Sequence, residues 1–540
     1  MHADDALRDE PTRPEDTPRQ LGSLQRLREW WRTLPRPRER RLAMTLAVSL
    51  VLLRSSIFVF FDAVFDSDQA IVGLMAKHLG EGRALPVFTY GQDYQLAIEA
   101  WLAAPLFWLF GTSIFALKFP LLVINVVMAA LLVRILEREL TLRPLVALVV
   151  ASPFVLAPPG TTVYFLEASG GQVEPLFIAL LLWLTRRSPL TFGVIFALGF
   201  LQRVFTVYAV GALLLVELLD RSLLTTDGLK RKLQAAVSFA AVWHVVGLAR
   251  EYAGTAWGPA TSGNYAGLPV TTSDSASLNV SLLLDRFCFD PVSLPASLVK
   301  FSGPFLSTMF GGHREPLADL AIPSLGTQGV DGLWWLLGAT VLLAAGRIGW
   351  TAVTGPTRPW HPQLQFATYL IFIGLQSSVV YVVSQCGLVA AGTMRYTLMT
   401  VLGVIGILAY HVAVEPNRHI RRITTGVVAL WAVVTLGGHT RLLAEFVESP
   451  PSNNRRVLAD YLTERDIRYG HAYDFWDVYS TMFFADERVI LSSPRRWFIQ
   501  EYEWLVQRNR DEAVWILREP CDGGEQVTDT HWVCPPEPGG

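Results

Sequence analysis

The sequence predicts an all-α polytopic membrane protein of about eleven transmembrane helices, followed by a small C-terminal extracytoplasmic α/β domain. Three observations predict it. Of 540 residues, 51% are apolar and only 17% charged, against about 25% charged in a typical soluble protein. With a mean hydropathy of +0.34, the chain has too few polar side chains to cover several small cores. Apolar runs recur at the length needed for a helix to cross about 30 Å of hydrocarbon. Basic residues are concentrated in alternate connections, as in a chain threaded through a bilayer.

The same composition excludes other classes. A net charge of −2 from 45 basic and 47 acidic residues leaves no globally basic surface, so no nucleic acid is expected as a partner. Seventeen Trp, 15 Tyr and 29 Phe cannot stay solvated, which excludes disorder over most of the length.

Residues 1–41, rich in Pro and charge, are expected to form a cytoplasmic, partly disordered N-terminus. Residues 42–440 form the transmembrane module, with spans expected near 42–61, 113–136, 143–158, 174–186, 189–201, 203–219, 233–249, 331–347, 365–384, 396–414 and 422–440. The stretch RPRERR (36–41) precedes the first span, and every second connection after it is basic: RILEREL (134–140), TRR (185–187), LKRK (229–232) and NRHIRR (417–422). The positive-inside rule puts the N-terminus in the cytoplasm, and an odd number of spans puts 441–540 outside. The expected location is the cell's inner (plasma) membrane. A cleaved signal peptide at 40–56 is the alternative, but Arg54 interrupts that run and no A-x-A site follows.

Two outer loops are expected, at 62–112 and at 250–330. The domain at 441–540 alternates helical and strand patterns: helix near 452–465, strand near 469–473, helix near 475–485, strand at 488–492, helix at 496–508 and strand at 513–518. All four cysteines, Cys288, Cys386, Cys521 and Cys534, fall in outer segments. Cys521 and Cys534 flank a short polar loop, where a disulfide is expected in an oxidising compartment.

The first outer loop carries the most chemistry. Asp62, Asp66 and Asp68 follow the first span, and then Ile71, Leu74, Met75, His78 and Leu79 fit one helical face. This predicts a helix lying in the interface with acids at its N-terminus. Taken alone, Asp66 and Asp68 could merely cap that helix. The order of features points further. The acids are followed by the helix, by LPVFTYGQ (85–92), by a second helix ending PLFWLFG (105–111) and by a span opening SIFALKFPLLV (113–123). Over about residues 40–220 this resembles the lipid-dependent GT-C glycosyltransferases, especially the protein O-mannosyltransferase and lipid A aminoarabinose transferase branch. In that branch the first outer loop opens with an Asp-Glu pair. Here the pair reads Asp68-Gln69, so the Glu is missing. MRYTLM (394–399) looks like the branch's RYLLP stretch, and AYDFWDVYSTMFFADERVIL (472–491) resembles tails appended to bacterial members.

The resemblance implies a membrane glycosyltransferase that takes a sugar from a polyprenyl-phosphate donor and gives it to an acceptor hydroxyl, with inversion, on the extracytoplasmic face. The acceptor would be a lipid, a glycan or a protein. Such a reaction needs a base and cations for the departing phosphate, and the expected catalytic residues are Asp68, as base, and Asp66. Substrate-binding residues are expected among charges at the membrane edge, where burial is costly: Glu99, Glu174, Lys118, Arg203 and Arg395, with Tyr396 beside the last. The competing readings are local ones: a solvated helix end for Glu99, a helix cap for Glu174, snorkelling for Lys118. Arg54 and His244 read as packed polar groups. No cofactor is expected with certainty; the DSD triplet (66–68) would suit a divalent cation. The alternative function is a transporter or flippase of lipid-linked saccharides, and a third is a non-catalytic envelope scaffold.

Overall fold

The computed structural model describes residues 36–62, 64–91, 95–257, 289–311, 333–354, 362–384, 389, 391–494 and 498–536. Residues 1–35, most of the expected loop at 250–330, Cys288 and Cys386 lie outside them.

Sixteen helices precede the C-terminal unit among the described residues: α1 (Arg36–Phe60), α2 (Ser67–Gly80), α3 (Ile98–Phe110), α4 (Ile114–Glu139), α5 (Pro144–Val155), α6 (Pro159–Phe165), α7 (Glu174–Thr185), α8 (Pro189–Gln202), α9 (Val207–Leu219), α10 (Thr226–Trp257), α11 (Leu294–Lys300), α12 (Leu306–Met309), α13 (Leu333–Thr354), α14 (Gln365–Ser384), α15 (Thr400–Val414) and α16 (Arg418–Glu448). Proline opens α5 to α8 at the first or second position, where its missing N–H has no helical partner to lose. Proline also divides an apolar stretch, for α5 and α6 meet at 82° across Pro158, with Pro153 inside α5.

By length and composition, five helices can cross a membrane: α1, α4, α10 from Thr226 to Ala253, α14 and α16. Counting the bent α5–α6 pair makes six. This is fewer than the eleven expected. The runs near 174–186, 189–201, 203–219 and 396–414 form helices of only 10–17 residues, and at about 1.5 Å per residue these fall short of roughly 30 Å. The first helix also begins at Arg36 rather than at 42.

Paired charges fix the basic ends of the bundle. Glu39, fully buried, accepts from Arg143 at 2.7 Å, and Glu137 accepts from Arg40 and Arg134, each at 2.7 Å. Deeper in, α14 and α15 approach so closely at Gly374 and Gly403 that a Cβ on Gly374 would lie 2.4 Å from the Gly403 Cα, the small-residue contact by which apolar helices gain packing. Arg54 is a packed polar group, as expected: it donates to Asn125 Oδ1 at 2.6 Å and lies over the Phe154 and Phe165 rings. His244 is not, since it stands exposed on α10.

Helix α2 differs from expectation in its surroundings. Ala70, Ile71, Val72, Leu74, Met75 and Ala76 are all buried, because α3 covers one side and a C-terminal helix another. The apolar surface lies instead on α3, where Trp108 and Phe110 are 76% and 71% exposed.

The chain then forms α17 (Asn454–Glu464), β1 (Tyr469–Ala472), α18 (Phe475–Phe484), β2 (Ile490–Ser492), α19 (Gln500–Arg508), β3 (Val514–Leu517), β4 (Glu525–Thr528) and β5 (His531–Cys534). The sheet order is β2-β1-β3-β5-β4, parallel across the first three strands and antiparallel beyond. Six of these elements match positions read from the alternation; the β4–β5 hairpin does not. Cys521 and Cys534 form a disulfide beside that hairpin. Asn453 and Asp474 cap α17 and α18 through their side chains. Buried Asp477 gathers Arg455, Arg518 and His531 within 3.1 Å. Burial opposes its charge, but the hydrogen bond to His531 and the Arg455 and Arg518 guanidiniums hold its carboxyl down at about 2.

Candidate active site

The site forms where α2 begins and the segment after the α5–α6 bend ends. Asp66 is the N-cap of α2: its carboxylate accepts from Gln69 N at 3.0 Å, so the capping role holds for Asp66. Asp68, in the first turn, points elsewhere. Its Oδ2 lies 3.5 Å from Arg395 Nη1, and both side chains keep about a quarter of their surface open, 25% and 24%. The same guanidinium lies 3.3 Å from Glu167 Oε1, whose side chain is 7% exposed.

Glu167 is the acid that sequence reasoning missed. It stands in YFLEASGG just past α6, an acid bordering an apolar run, which is the signal used for its neighbours. Burial above all raises its carboxyl to about 7; Asp66 and Asp68 add to the rise, against Arg395 and a bond to Ser169. Arg395 is held above its ordinary range in spite of burial, chiefly by Glu167 and with help from Asp68.

A polar chain continues from Glu167. Gln95 donates to the Ser169 carbonyl at 2.8 Å, Gln172 donates to the Ser169 hydroxyl at 3.0 Å, and Arg203 donates to Gln95 Oε1 at 2.8 Å. Gly170 and Gly171 have φ of +89° and +85°, a region that favours glycine. A Cβ on Gly170 would meet the Gln95 amide nitrogen at 1.1 Å. Both glycine amides donate to Glu99, at 2.9 and 2.8 Å, so Glu99 is not a solvated helix end. Burial, and next the adjoining Glu174 carboxyl, hold the Glu99 pKa well above the carboxylate range. Glu174 opens α7 facing Glu99, and its oxygens take no other hydrogen bond.

Lys118 does not snorkel. It is 1% exposed and donates to the Val64 carbonyl at 3.0 Å, which ties α4 to the strand of chain carrying the acids. Tyr396 stacks against the Arg395 guanidinium at 5.4 Å and meets Phe205 edge-on at 6.0 Å; Phe205 in turn lies under Arg203 at 5.8 Å. Asp68, Arg395, Tyr396, Arg203, Glu99 and Glu174 thus lie along one connected set of contacts around Glu167, while Asp66 and Lys118 hold the segment that carries Asp68. Buried polar atoms in that set lack a partner: Glu167 Oε2, Arg395 Nε, Arg203 Nε and both amide atoms of Gln202.

Among the described residues no three of His, Cys, Asp and Glu converge as a metal would require. Asp66 is turned to a helix N-terminus and Asp68 to an arginine.

No family model and no curated protein matches this chain. Solved structures similar to it include the following three. The first is the Archaeoglobus fulgidus oligosaccharyltransferase in the apo form, 12% identical with a TM-score of 0.49, covering 90% of this chain and 70% of that one. The second is the Archaeoglobus fulgidus oligosaccharyltransferase AglB in complex with an inhibitory peptide and a dolichol-phosphate, at 13% and 0.46, covering 91% and 70%. The third is ArnT from Cupriavidus metallidurans bound to undecaprenyl phosphate, at 12% and 0.49, covering 91% and 97%. The reading of the site rests on this chain's own residues.

Proposed function

We propose that the protein is a membrane glycosyltransferase that moves a sugar from a polyprenyl-phosphate donor to an acceptor hydroxyl on the extracytoplasmic face, with inversion. One observation carries the reading: the accessible Asp68 carboxylate stands 3.5 Å from the accessible Arg395 guanidinium beside a bundle of apolar helices. A phosphate is already a good leaving group, so the reaction needs no general acid; it needs a base and positive charge. Asp68 is the base for the acceptor hydroxyl. Arg395 receives the donor phosphate, whose oxygens match its planar fork, and Tyr396 holds the guanidinium from one face. Lys118 is buried beneath and adds positive potential. Glu99, Glu174 and Arg203 line the inner end, where sugar hydroxyls would find donors and acceptors.

A transporter or flippase would use charge within the spans. Arg54 is such a charge, but its guanidinium is sealed by Asn125, Phe154 and Phe165, so it favours the enzyme. The deciding experiment gives the purified protein, in lipid nanodiscs, a panel of labelled polyprenyl-phosphate hexoses and pentoses with a membrane lipid extract as acceptor. Release of free polyprenyl phosphate is expected; movement of intact donor between leaflets without release would replace this reading with the flippase.

A further inference from the structure

Asp66 and Asp68 stand on either side of Ser67, and Ser67 is completely buried. Its hydroxyl sits against the first turn of α18. It lies 2.8 Å from the Phe475 carbonyl and 2.9 Å from the Trp476 carbonyl, while the amides of Tyr479 and Ser480 reach it at 3.2 and 3.4 Å. A hydroxyl carries one proton and two lone pairs, so four backbone groups of one helical turn saturate this single oxygen.

The far end of α2 is held as well. Glu487, just past α18, accepts from His78 and Lys77, each at 3.0 Å, and from Arg83. Between the two ends Phe483 of α18 lies on Gly73, where a Cβ would come within 2.5 Å of the ring. Ahead of α2, Asn453 donates to the Asp62 carbonyl at 2.6 Å and Arg455 to the Phe65 carbonyl at 3.2 Å. The C-terminal unit therefore grips the acid-bearing segment before, at the start of, along and at the end of α2.

We propose that the C-terminal unit is a splint for this segment, with Ser67 and Glu487 as positioning residues that set Asp68 against Arg395. The inference rests on the transferase reading of the site. Asp68 follows Ser67 directly, so any slip of Ser67 along α18 moves the base relative to the phosphate-binding arginine. Displacing a reacting group by about 1 Å can cost a hundredfold in rate, and loosening one anchor of several costs less.

The test is a double-mutant cycle on the full chain in nanodiscs. Turnover is read as release of labelled polyprenyl phosphate from polyprenyl-phosphate sugars, and binding is read with polyprenyl phosphate alone. Ser67→Ala is expected to lower turnover roughly tenfold with binding unchanged within about twofold, and to add nothing in the Asp68→Asn background. Glu487→Gln is expected to behave alike with a loss of about threefold. Normal turnover in Ser67→Ala, or a loss that multiplies with that of Asp68→Asn, overturns the splint. Normal turnover in Asp68→Asn removes Asp68 as the base, whereas no release by the unmutated protein overturns the transferase reading itself, so these failures are distinct from that of the splint. If Ser67→Ala does not fold, the same criteria applied to Glu487→Gln decide.

Discussion

The Arg395 guanidinium lies 3.5 Å from the Asp68 carboxylate, joining the first turn of α2 to a short 3-10 turn that precedes α15. Arg395→Ala should therefore lower affinity for polyprenyl phosphate by roughly tenfold or more, since a hydrogen bond to a charged group contributes about 1.5–3 kcal/mol. Arg395→Lys should recover part of it, because an ammonium supplies charge without the planar fork. Binding of polyprenyl phosphate to the protein in nanodiscs checks both. Unchanged binding in Arg395→Ala would remove this residue from the donor site.

Glu167 shares that guanidinium and titrates at about 7. Below this pH the acid is neutral and Arg395 keeps its charge for the donor; above it the carboxylate competes with the donor phosphate. The KM for a polyprenyl-phosphate sugar should rise as pH passes upward through about 7. The donor is a phosphodiester and does not itself titrate there. Glu167→Gln should flatten the profile. Stability follows the same group. Its folded pKa lies above the ordinary 4.5, so its contribution is fully present below that value and is lost as pH rises to about 7. Equal pH profiles in the wild type and Glu167→Gln would show that the acid does not act on Arg395.

Much of this was legible in the sequence because it depends on local pattern. Apolar runs, proline breaks and the alternation around β1, α18 and β3 are periodic signals. The β4–β5 hairpin is not, since its four-residue strands are partly exposed and read as polar loop. Charges at the edges of apolar runs stood out because lipid makes them costly, which is how Arg395, Arg203 and Glu174 were found. Their partners could not be read. The Arg395–Glu167 and Arg203–Gln95 contacts join connecting segments far apart in sequence, and Lys118 turns inward to a backbone carbonyl that no side-chain pattern announces. The eleven spans read from hydropathy exceed the five or six helices long enough to cross among the described residues, because hydropathy marks apolar runs but not where their helices begin and end.

The C-terminal unit should lie outside the cell. An impermeant thiol probe is expected to label Ser452→Cys in intact cells, and labelling only after lysis would reverse the topology. Intact-mass measurement should find Cys521 and Cys534 oxidised. Replacing both with Ser should destabilise the β4–β5 hairpin by about 3 kcal/mol, as expected for so short a loop, visible as faster amide exchange over 525–534. Unchanged exchange would mean that the disulfide adds nothing there.

The two acids flanking Ser67 should separate cleanly. Asp68→Asn removes the proposed base, and loss of a positioned base typically costs about 10²–10⁴-fold. Expression and polyprenyl-phosphate binding should stay near normal while transfer falls at least about a hundredfold. Asp66 caps α2 instead, so Asp66→Asn, itself a good cap, should change turnover little. Asp66→Ala should cost about 1 kcal/mol of stability, seen as a lower unfolding temperature. A chelator should leave the wild type active. If Asp66→Asn fails as badly as Asp68→Asn and added divalent cation restores activity, the pair holds a metal and Asp68 is a ligand. If Asp68→Asn turns over normally while Asp66→Asn does not, the base is Asp66. If neither change matters, the transfer does not run through this loop.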